Sequence, residues 1–428
     1  MIPSRCDAST MGKKNIGFVS TRLAGTDGVS LETQKWVDVL QDMGHECFFM
    51  AGELDQHPER RFLLEEAHFR HPDIREVYLE SFGAVSRSRE TTRKIHELSR
   101  RIKDKLYEFV ERFSIDLLIP ENALAIPLNI PLALALTEYI SETRKPTIAH
   151  HHDFFWERKR FLTNAVWDYL NMAFPPHLPP IQHVVINSSA DNQLGLRTGI
   201  SATVIPNVMK FEEPPAGPDE YAAAVPSALG LEPYEKLILQ PTRVVARKGI
   251  EHAIELVSRL GLDARLVISH ASGDEGYDYE KRVKGYAQLM GANALFVSDI
   301  INEARGETPD GRRVYSIQDV YPHADLVTYP STFEGFGNAF LEAVYFKKPI
   351  VVNNYSVFSV DIRPRGFKVI EFDEYITDHT VRQVRRVLME PETCREMVEE
   401  NYRLGQKHYS YTVLCHRLEN LLISCFGA

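Results

Sequence analysis

Apolar runs of strand length alternate with longer stretches in which apolar residues recur every third or fourth position, and this alternation continues along most of the chain. The run Asn15-Ile16-Gly17-Phe18-Val19-Ser20 predicts a strand, residues 31–43 a helix, and His45-Glu46-Cys47-Phe48-Phe49-Met50 the next strand. Ile115-Asp116-Leu117-Leu118-Ile119-Pro120 reads as a buried strand and residues 128–142 as a mostly apolar helix. The same order restarts at Lys236-Leu237-Ile238-Leu239-Gln240-Pro241, followed by a helix over 250–260. Further on, Asp325-Leu326-Val327-Thr328-Tyr329-Pro330 leads into a helix over 339–346. Strand and helix in strict alternation predict an α/β protein with doubly wound sheets.

A chain of 428 residues exceeds the size at which one core keeps growing, so two domains are expected. The segment Glu212-Glu213-Pro214-Pro215-Ala216-Gly217-Pro218 has the composition of a domain linker. We therefore expect an N-terminal extension over 1–14, a first domain over 15–210, a linker over 211–233 and a second domain over 234–405. Hydrophobic residues make up 44% and charged residues 25% of the chain, as in an ordinary globular protein. A net charge of -10 argues against nucleic acid as a partner. The polar N-terminus lacks the apolar core of a signal peptide, and a cytoplasmic protein is expected. Cys6, Cys47, Cys394, Cys415 and Cys425 lack metal-type spacing and read as reduced thiols. Residues 91–113 carry Ile95, Leu98, Ile102, Leu106 and Phe109 at helical spacing with basic residues on other faces. Acidic residues dilute that charge, so a surface helix is favoured over a membrane-docking one and a membrane partner is not expected.

The candidate chemistry concentrates at strand ends. Ser331-Thr332-Phe333-Glu334-Gly335-Phe336-Gly337-Asn338 joins a strand to a helix, where unpaired amides and glycines suit a phosphate. Glu334 sits on the rim of this turn and can accept hydrogen bonds from sugar hydroxyls. Glu342, four residues past Asn338, can reach the paired hydroxyls of a ribose. Arg243 and Lys248 flank another strand-to-helix loop and can neutralise a diphosphate. A third strand runs into His150-His151-His152-Asp153-Phe154-Phe155-Trp156-Glu157-Arg158. Alternation sends His150 and His152 to one face and His151 to the other, which disfavours one metal bound by all three. The loop Ala24-Gly25-Thr26-Asp27-Gly28-Val29 lacks dinucleotide spacing and is either a phosphate contact or a simple turn.

Together these residues resemble the family 4 retaining glycosyltransferases of GT-B architecture. Glu334 and Glu342 match the family's E-x7-E motif, Arg243 and Lys248 its Arg and Lys pair, Ile205-Pro206-Asn207 its I-P-N turn, and His152-Asp153 its His-Asp pair. The first loop departs from the family, with Gly25 and Gly28 in place of adjacent glycines. The resemblance implies two Rossmann-like domains facing across a cleft, with a C-terminal helix over 406–428 returning to the first. It implies donor contacts by Gly335, Phe336, Gly337, Asn338, Glu342 and Gly28. His152, Asp153, Arg243, Lys248 and Glu334 would act in transfer, and His151 and Arg158 are the acceptor candidates, with Lys159 and Arg160 close by in sequence. A nucleoside diphosphate sugar of the GDP-mannose or UDP-glucose type would be the co-substrate and a small molecule, anionic by preference, such as a glycerate-type glycoside or sugar phosphate the acceptor; no cofactor and no metal is expected. The competing readings are a sugar-nucleotide epimerase, a non-catalytic binding protein, and a transferase acting on a lipid-linked acceptor.

Overall fold

A computed structural model describes residues 12–25, 27–272, 277–302 and 304–427 of the chain. All but residues 12–14 of the expected N-terminal extension therefore lies outside the described residues, as does Cys6. The chain divides into two compact units, one formed by 1–208 with 411–428 and the other by 209–410.

The first unit is built on β1 (Asn15–Val19), β2 (Glu46–Ala51), β3 (Arg61–Leu63), β4 (Leu117–Pro120), β5 (Thr147–His151), β6 (Ile181–Val185) and β7 (Ala202–Val204). They form one sheet in the order β3-β2-β1-β4-β5-β6-β7, with every pair parallel. Successive strand residues serve opposite faces, as the pleat requires. Val19 and Leu118 enter one core, while Phe18, Leu117 and Ile119 enter the other. The first core is covered by the helix Arg89–Phe113, whose Ile95, Leu98, Ile102, Leu106 and Phe109 are all buried. Its apolar stripe is spent inside the protein, which removes the membrane-docking reading. The second core is covered by the helix Gly28–Asp42 through Trp36, Val37 and Leu40, and by the C-terminal helix Tyr411–Phe426 through Leu414, Leu418, Leu421 and Leu422.

The second unit carries β8 (Lys236–Gln240), β9 (Ala264–Ile268), β10 (Ala294–Phe296), β11 (Ile301–Asn302), β12 (Gly306–Glu307), β13 (Arg313–Ser316), β14 (Leu326–Tyr329), β15 (Ile350–Asn353) and β16 (Ile370–Phe372). Six of them form a second parallel sheet in the order β10-β9-β8-β14-β15-β16, and β11, β13 and β12 form a small separate sheet. In both large sheets the chain reverses its direction of winding at one point, beside β1 and β4 in the first and beside β8 and β14 in the second. Loops at such a switch point diverge and leave a crevice at the carboxyl ends of the strands.

The segment 211–233 is not a linker in the structure. It folds as part of the second unit, with short helices at Ala222–Ala224 and Val225–Ala228. Ala222, Val225 and Leu229 are buried, and Tyr221 Oη donates to the Gly306 and Val314 carbonyls at 3.0 Å. Proline and charge marked the segment as irregular but did not reveal these apolar anchors. Among the described residues, Cys47, Cys394 and Cys425 are free thiols.

Candidate active site

In the second unit the loops after β8 and β14 meet at the switch point. Thr332 N–H donates to the Arg247 carbonyl at 2.8 Å, which ties one loop to the other. Gly249 makes the approach possible: its φ is +57°, and a Cβ there would lie 2.5 Å from the Pro330 carbonyl oxygen. Lys248 is thereby aimed at Glu334, and the two form a buried ion pair. Arg247 Nη1 reaches the other carboxylate oxygen at 3.2 Å. Burial opposes ionisation of Glu334, but Lys248 and Arg247 outweigh it and hold its carboxyl below the usual range. Lys248 is also shifted down, because its burial exceeds what Glu334 returns. The two shifts pull in different senses for the pair. The direct contact, reinforced by Arg247, keeps both groups charged. Arg243, expected to bind the diphosphate with Lys248, is exposed.

Gly337 opens the helix Asn338–Tyr345 with φ +128° and ψ 67°, a conformation open to glycine. A Cβ there would fall 2.6 Å from Tyr355 Oη, which itself donates to the Phe336 carbonyl at 2.8 Å. Phe336 is buried with its ring edge-on to Tyr409, so only its backbone is placed for a ligand. No side chain caps this helix. Glu342 is half-buried, and Tyr321 Oη donates to its Oε2 at 2.8 Å.

The first unit places its polar residues around the end of β4 and β5. His150 Nδ1 and His152 Nε2 lie 3.0 and 3.2 Å from the same oxygen of Glu121, whose side chain is fully buried. Burial opposes the charge on Glu121, yet the two imidazoles hold its carboxyl down at about 2. His152 is raised above an ordinary histidine: burial lowers it, and Glu121 more than compensates. Trp36 stacks on His150 with ring centroids 4.1 Å apart. Glu121, His150 and His152 are also the described residues whose ligand atoms lie close enough together to hold a metal. Beside them, Asn122 Nδ2 donates to Asp153 Oδ1 at 2.9 Å, and Arg158 Nε to Asp153 Oδ2 at 2.6 Å.

Comparison with known proteins places this geometry. A family model described as glycosyl transferases group 1 matches residues 311–404, which contain the Glu334 loop and Glu342. A mannosylglucosylglycerate synthase of Thermotoga maritima is 33% identical over 95% of this chain and 98% of its own length. The chain belongs to the group 1 glycosyl transferases. A mannosylglucosylglycerate synthase of Petrotoga mobilis is 32% identical over 83% of this chain and 86% of its own length. A solved glycosyltransferase of Rickettsia africae superposes with a TM-score of 0.70 at 14% identity, covering 97% of this chain and 99% of that one. The fold is that of GT-B glycosyltransferases, and the protein is a hexosyltransferase.

Within this glycosyltransferase the sequence candidates fall into three groups. Glu334 and Lys248 are brought into contact, and Gly335, Phe336, Gly337 and Asn338 form the turn that follows them. Asp153 and Arg158 are brought together, which commits the Asp153 carboxylate to Arg158 and Asn122. Two candidates are corrected. His151 is 1% exposed and its Nε2 lies 2.9 Å from His183 Nδ1, on the face away from His150 and His152, so it offers nothing to an acceptor. Gly28 begins a helix whose Val29 and Ser30 amides donate to Asp27 Oδ1 at 3.1 and 3.3 Å. The chain supplies its own anion there, which opposes a phosphate. Four contributors were missed from sequence. Arg247 stood in the quoted loop, and Glu121 and Asn122 directly follow a predicted strand; both were legible as polar residues at strand ends. Tyr321 carried no signal, because its link to Glu342 joins residues on either side of β14 in the chain.

Proposed function

We propose that this glycosyltransferase moves a mannosyl group from a nucleoside diphosphate sugar to a glucosylglycerate-type acceptor, with retention of anomeric configuration, in the cytoplasm. The observation that carries the reading is the match along almost the whole chain to a relative whose name states a mannosylglucosylglycerate product. An anionic acceptor also agrees with the cationic run Arg158, Lys159 and Arg160 of the first unit.

Arg243 and Lys248 bind the diphosphate and stabilise the charge that grows on it as the glycosidic bond breaks. Lys248 meets this task already desolvated, so its attraction to phosphate is stronger than that of a surface lysine. Glu334 accepts hydrogen bonds from hydroxyls of the transferred sugar, and Glu342 from the ribose. Amides of Gly335, Gly337 and Asn338 face the phosphates at the uncapped helix start. His152, raised in basicity by Glu121, donates toward the transferred sugar. With no side-chain nucleophile assigned, the leaving phosphate takes the acceptor proton and the protein acts by positioning and charge. No metal or cofactor is required for these steps.

The test incubates the purified protein with GDP-mannose or UDP-glucose, with and without glucosylglycerate, and follows products by mass spectrometry and the anomeric proton by NMR. Formation of mannosylglucosylglycerate from GDP-mannose, with the donor's anomeric configuration kept, is expected. Conversion of the donor sugar without acceptor would return the epimerase, and product with UDP-glucose alone would overturn the donor.

A further inference from the structure

The crevice of the first unit opens where the loops after β1 and β4 diverge. Ser20, one residue beyond β1, donates through its Oγ to the Glu121 carbonyl at 2.9 Å, and Asn122 Oδ1 accepts from the His152 amide at 3.0 Å. The loops after β1, β4 and β5 are thus joined at this end of the sheet. Arg22 follows Ser20 by two residues. Leu23 beside it bridges to Leu54 in the loop after β2, and Gly25 N–H donates to Asp55 Oδ2 at 3.0 Å, so the segment that carries Arg22 is held in place.

Three observations single out Arg22 among the cations at this end of the sheet. Its side chain is 31% exposed, against 45% for Arg158. Its guanidinium lies over the Phe69 ring, 5.8 Å from the centroid, which restricts its orientation. Among the described residues it makes one hydrogen bond, from Nη2 to Asp27 Oδ2 at 3.1 Å. Nη2 carries two hydrogens, one on each paired edge of the guanidinium, so this bond engages one edge and leaves the other whole. Asp27 is itself occupied: Oδ1 accepts from the Val29 and Ser30 amides, and Oδ2 also accepts from Ser30 Oγ at 2.7 Å. Its charge is shared with a positive helix start, so it anchors Arg22 without neutralising it. Arg158, by contrast, gives both Nε and Nη2 to Asp153, and Arg160 lies over the Phe161 ring at 4.7 Å.

We propose that Arg22 receives the carboxylate of the acceptor through two parallel hydrogen bonds and thereby selects an acidic glycoside over a neutral one; the proposal rests on the glycerate-type acceptor of the reading above. The planar fork of a guanidinium matches a carboxylate in this way. With β4 between them, the ends of β1 and β5 are two strand spacings apart, about 10 Å. An acceptor whose hydroxyl points toward the sugar at His152 accordingly carries its acid group across the crevice to Arg22. A neutral analogue is rejected because it leaves the partly buried fork without its partner.

Initial rates are measured with glucosylglycerate and with glucosylglycerol, which has a hydroxymethyl group in place of the carboxylate. Wild type is expected to favour the acid by roughly 10–100-fold in kcat/KM. Arg22→Gln is expected to use the two alike, through a raised KM for the acid with kcat little changed. Arg22→Lys keeps the charge without the fork; it is expected to fall between them, and it carries the comparison if Arg22→Gln loses its fold by circular dichroism. A wild type indifferent to the acid, a preference undiminished in the folded Arg22 variants, or one lost only when Lys159→Gln and Arg160→Gln are combined would overturn the assignment. Where wild type transfers to neither compound, the reading of the reaction fails and binding decides for Arg22. Calorimetry with glucosylglycerate is then expected to show binding by wild type and none by Arg22→Gln, and equal binding by both, or by neither, would overturn the site.

Discussion

Lys248 and Glu334 are each buried at a cost that only the other, with Arg247, offsets. Removing the cation from such a pair leaves a carboxylate without its main partner, a change that costs about 3–5 kcal/mol when nothing replaces it. Arg247 at 3.2 Å is half-exposed and compensates in part. Lys248→Met is therefore expected to lower stability by about 3 kcal/mol in urea titration and to abolish transfer. Arg243→Ala, at an exposed position, is expected to change stability by less than about 0.5 kcal/mol while weakening donor binding, so calorimetry with the donor separates the two roles. Acid acts on the same pair. An unfolded glutamate titrates near pH 4.3, and the folded value of Glu334 lies lower. The unfolded chain thus takes up the proton first, and the stabilisation, complete above that unfolded value, is lost as pH falls through the folded one. The stability gap between wild type and Glu334→Gln is expected to narrow as pH drops from about 6 to below 4. A constant gap would mean that Glu334 is not held as the charged partner. Glu334 and Lys248 were legible because motif and charge both marked them. Arg247 was not, since spacing along a loop does not say which of two neighbouring cations turns inward.

At the scale of elements, the apolar runs gave β1, β2, β4, β8 and β14 to within about two residues, whereas β3, β9, β10, β15 and β16 were not read from the sequence. The β14 strand and its helix, read as 325–330 and 339–346, lie at Leu326–Tyr329 and Asn338–Tyr345. Such agreement follows from physics: a strand buried on both faces is a continuous apolar run, and its ends are set where polar residues must leave the sheet. What failed was information that lives between elements. His151 faces His183 of β6, a contact that no local pattern encodes. The Asp27 cap is a local signal that went unread, since an Asp directly before a helix start marks an N-cap. The turn between β14 and its helix supplies a test at this scale. Gly337→Ala must hold a side chain at φ +128° with its Cβ 2.6 Å from Tyr355 Oη. It is expected to destabilise by about 2 kcal/mol and to reduce donor affinity, because backbone strain moves the amides of the turn. Tyr355→Phe added to Gly337→Ala removes the clashing hydroxyl but leaves the backbone conformation, so only part of the loss is expected to return in thermal unfolding. Full recovery would mean that the clash, and not φ, required glycine.

For the molecule as a whole, the informative feature is that the chain leaves the first unit at Val208 and returns to it at Tyr411. The return is a structural member of that unit. Leu414, Leu418, Leu421 and Leu422 are buried in the same core as Trp36, Val37 and Leu40 of the first helix and Phe18 and Phe49 of the sheet. Burying each leucine contributes about 1.5–3 kcal/mol, so the four together contribute roughly 6–12 kcal/mol. That rivals the whole stability of a domain, about 5–15 kcal/mol. Truncation after Ser410 is therefore expected to unfold the first unit at room temperature or to leave it a loosened state that binds a hydrophobic dye. The second unit, whose sheet and described core draw only on 209–410, is expected to keep its own thermal transition. Calorimetry of full-length and truncated protein distinguishes the cases. One transition lost and one kept at its original temperature supports the division of labour, whereas loss of both would show that the second unit folds only with the first. Donor binding measured on the truncated protein adds a functional consequence: Lys248, Arg247, Glu334 and Glu342 all lie in the unit expected to survive, so nucleotide-sugar affinity should persist while transfer to the acceptor is lost.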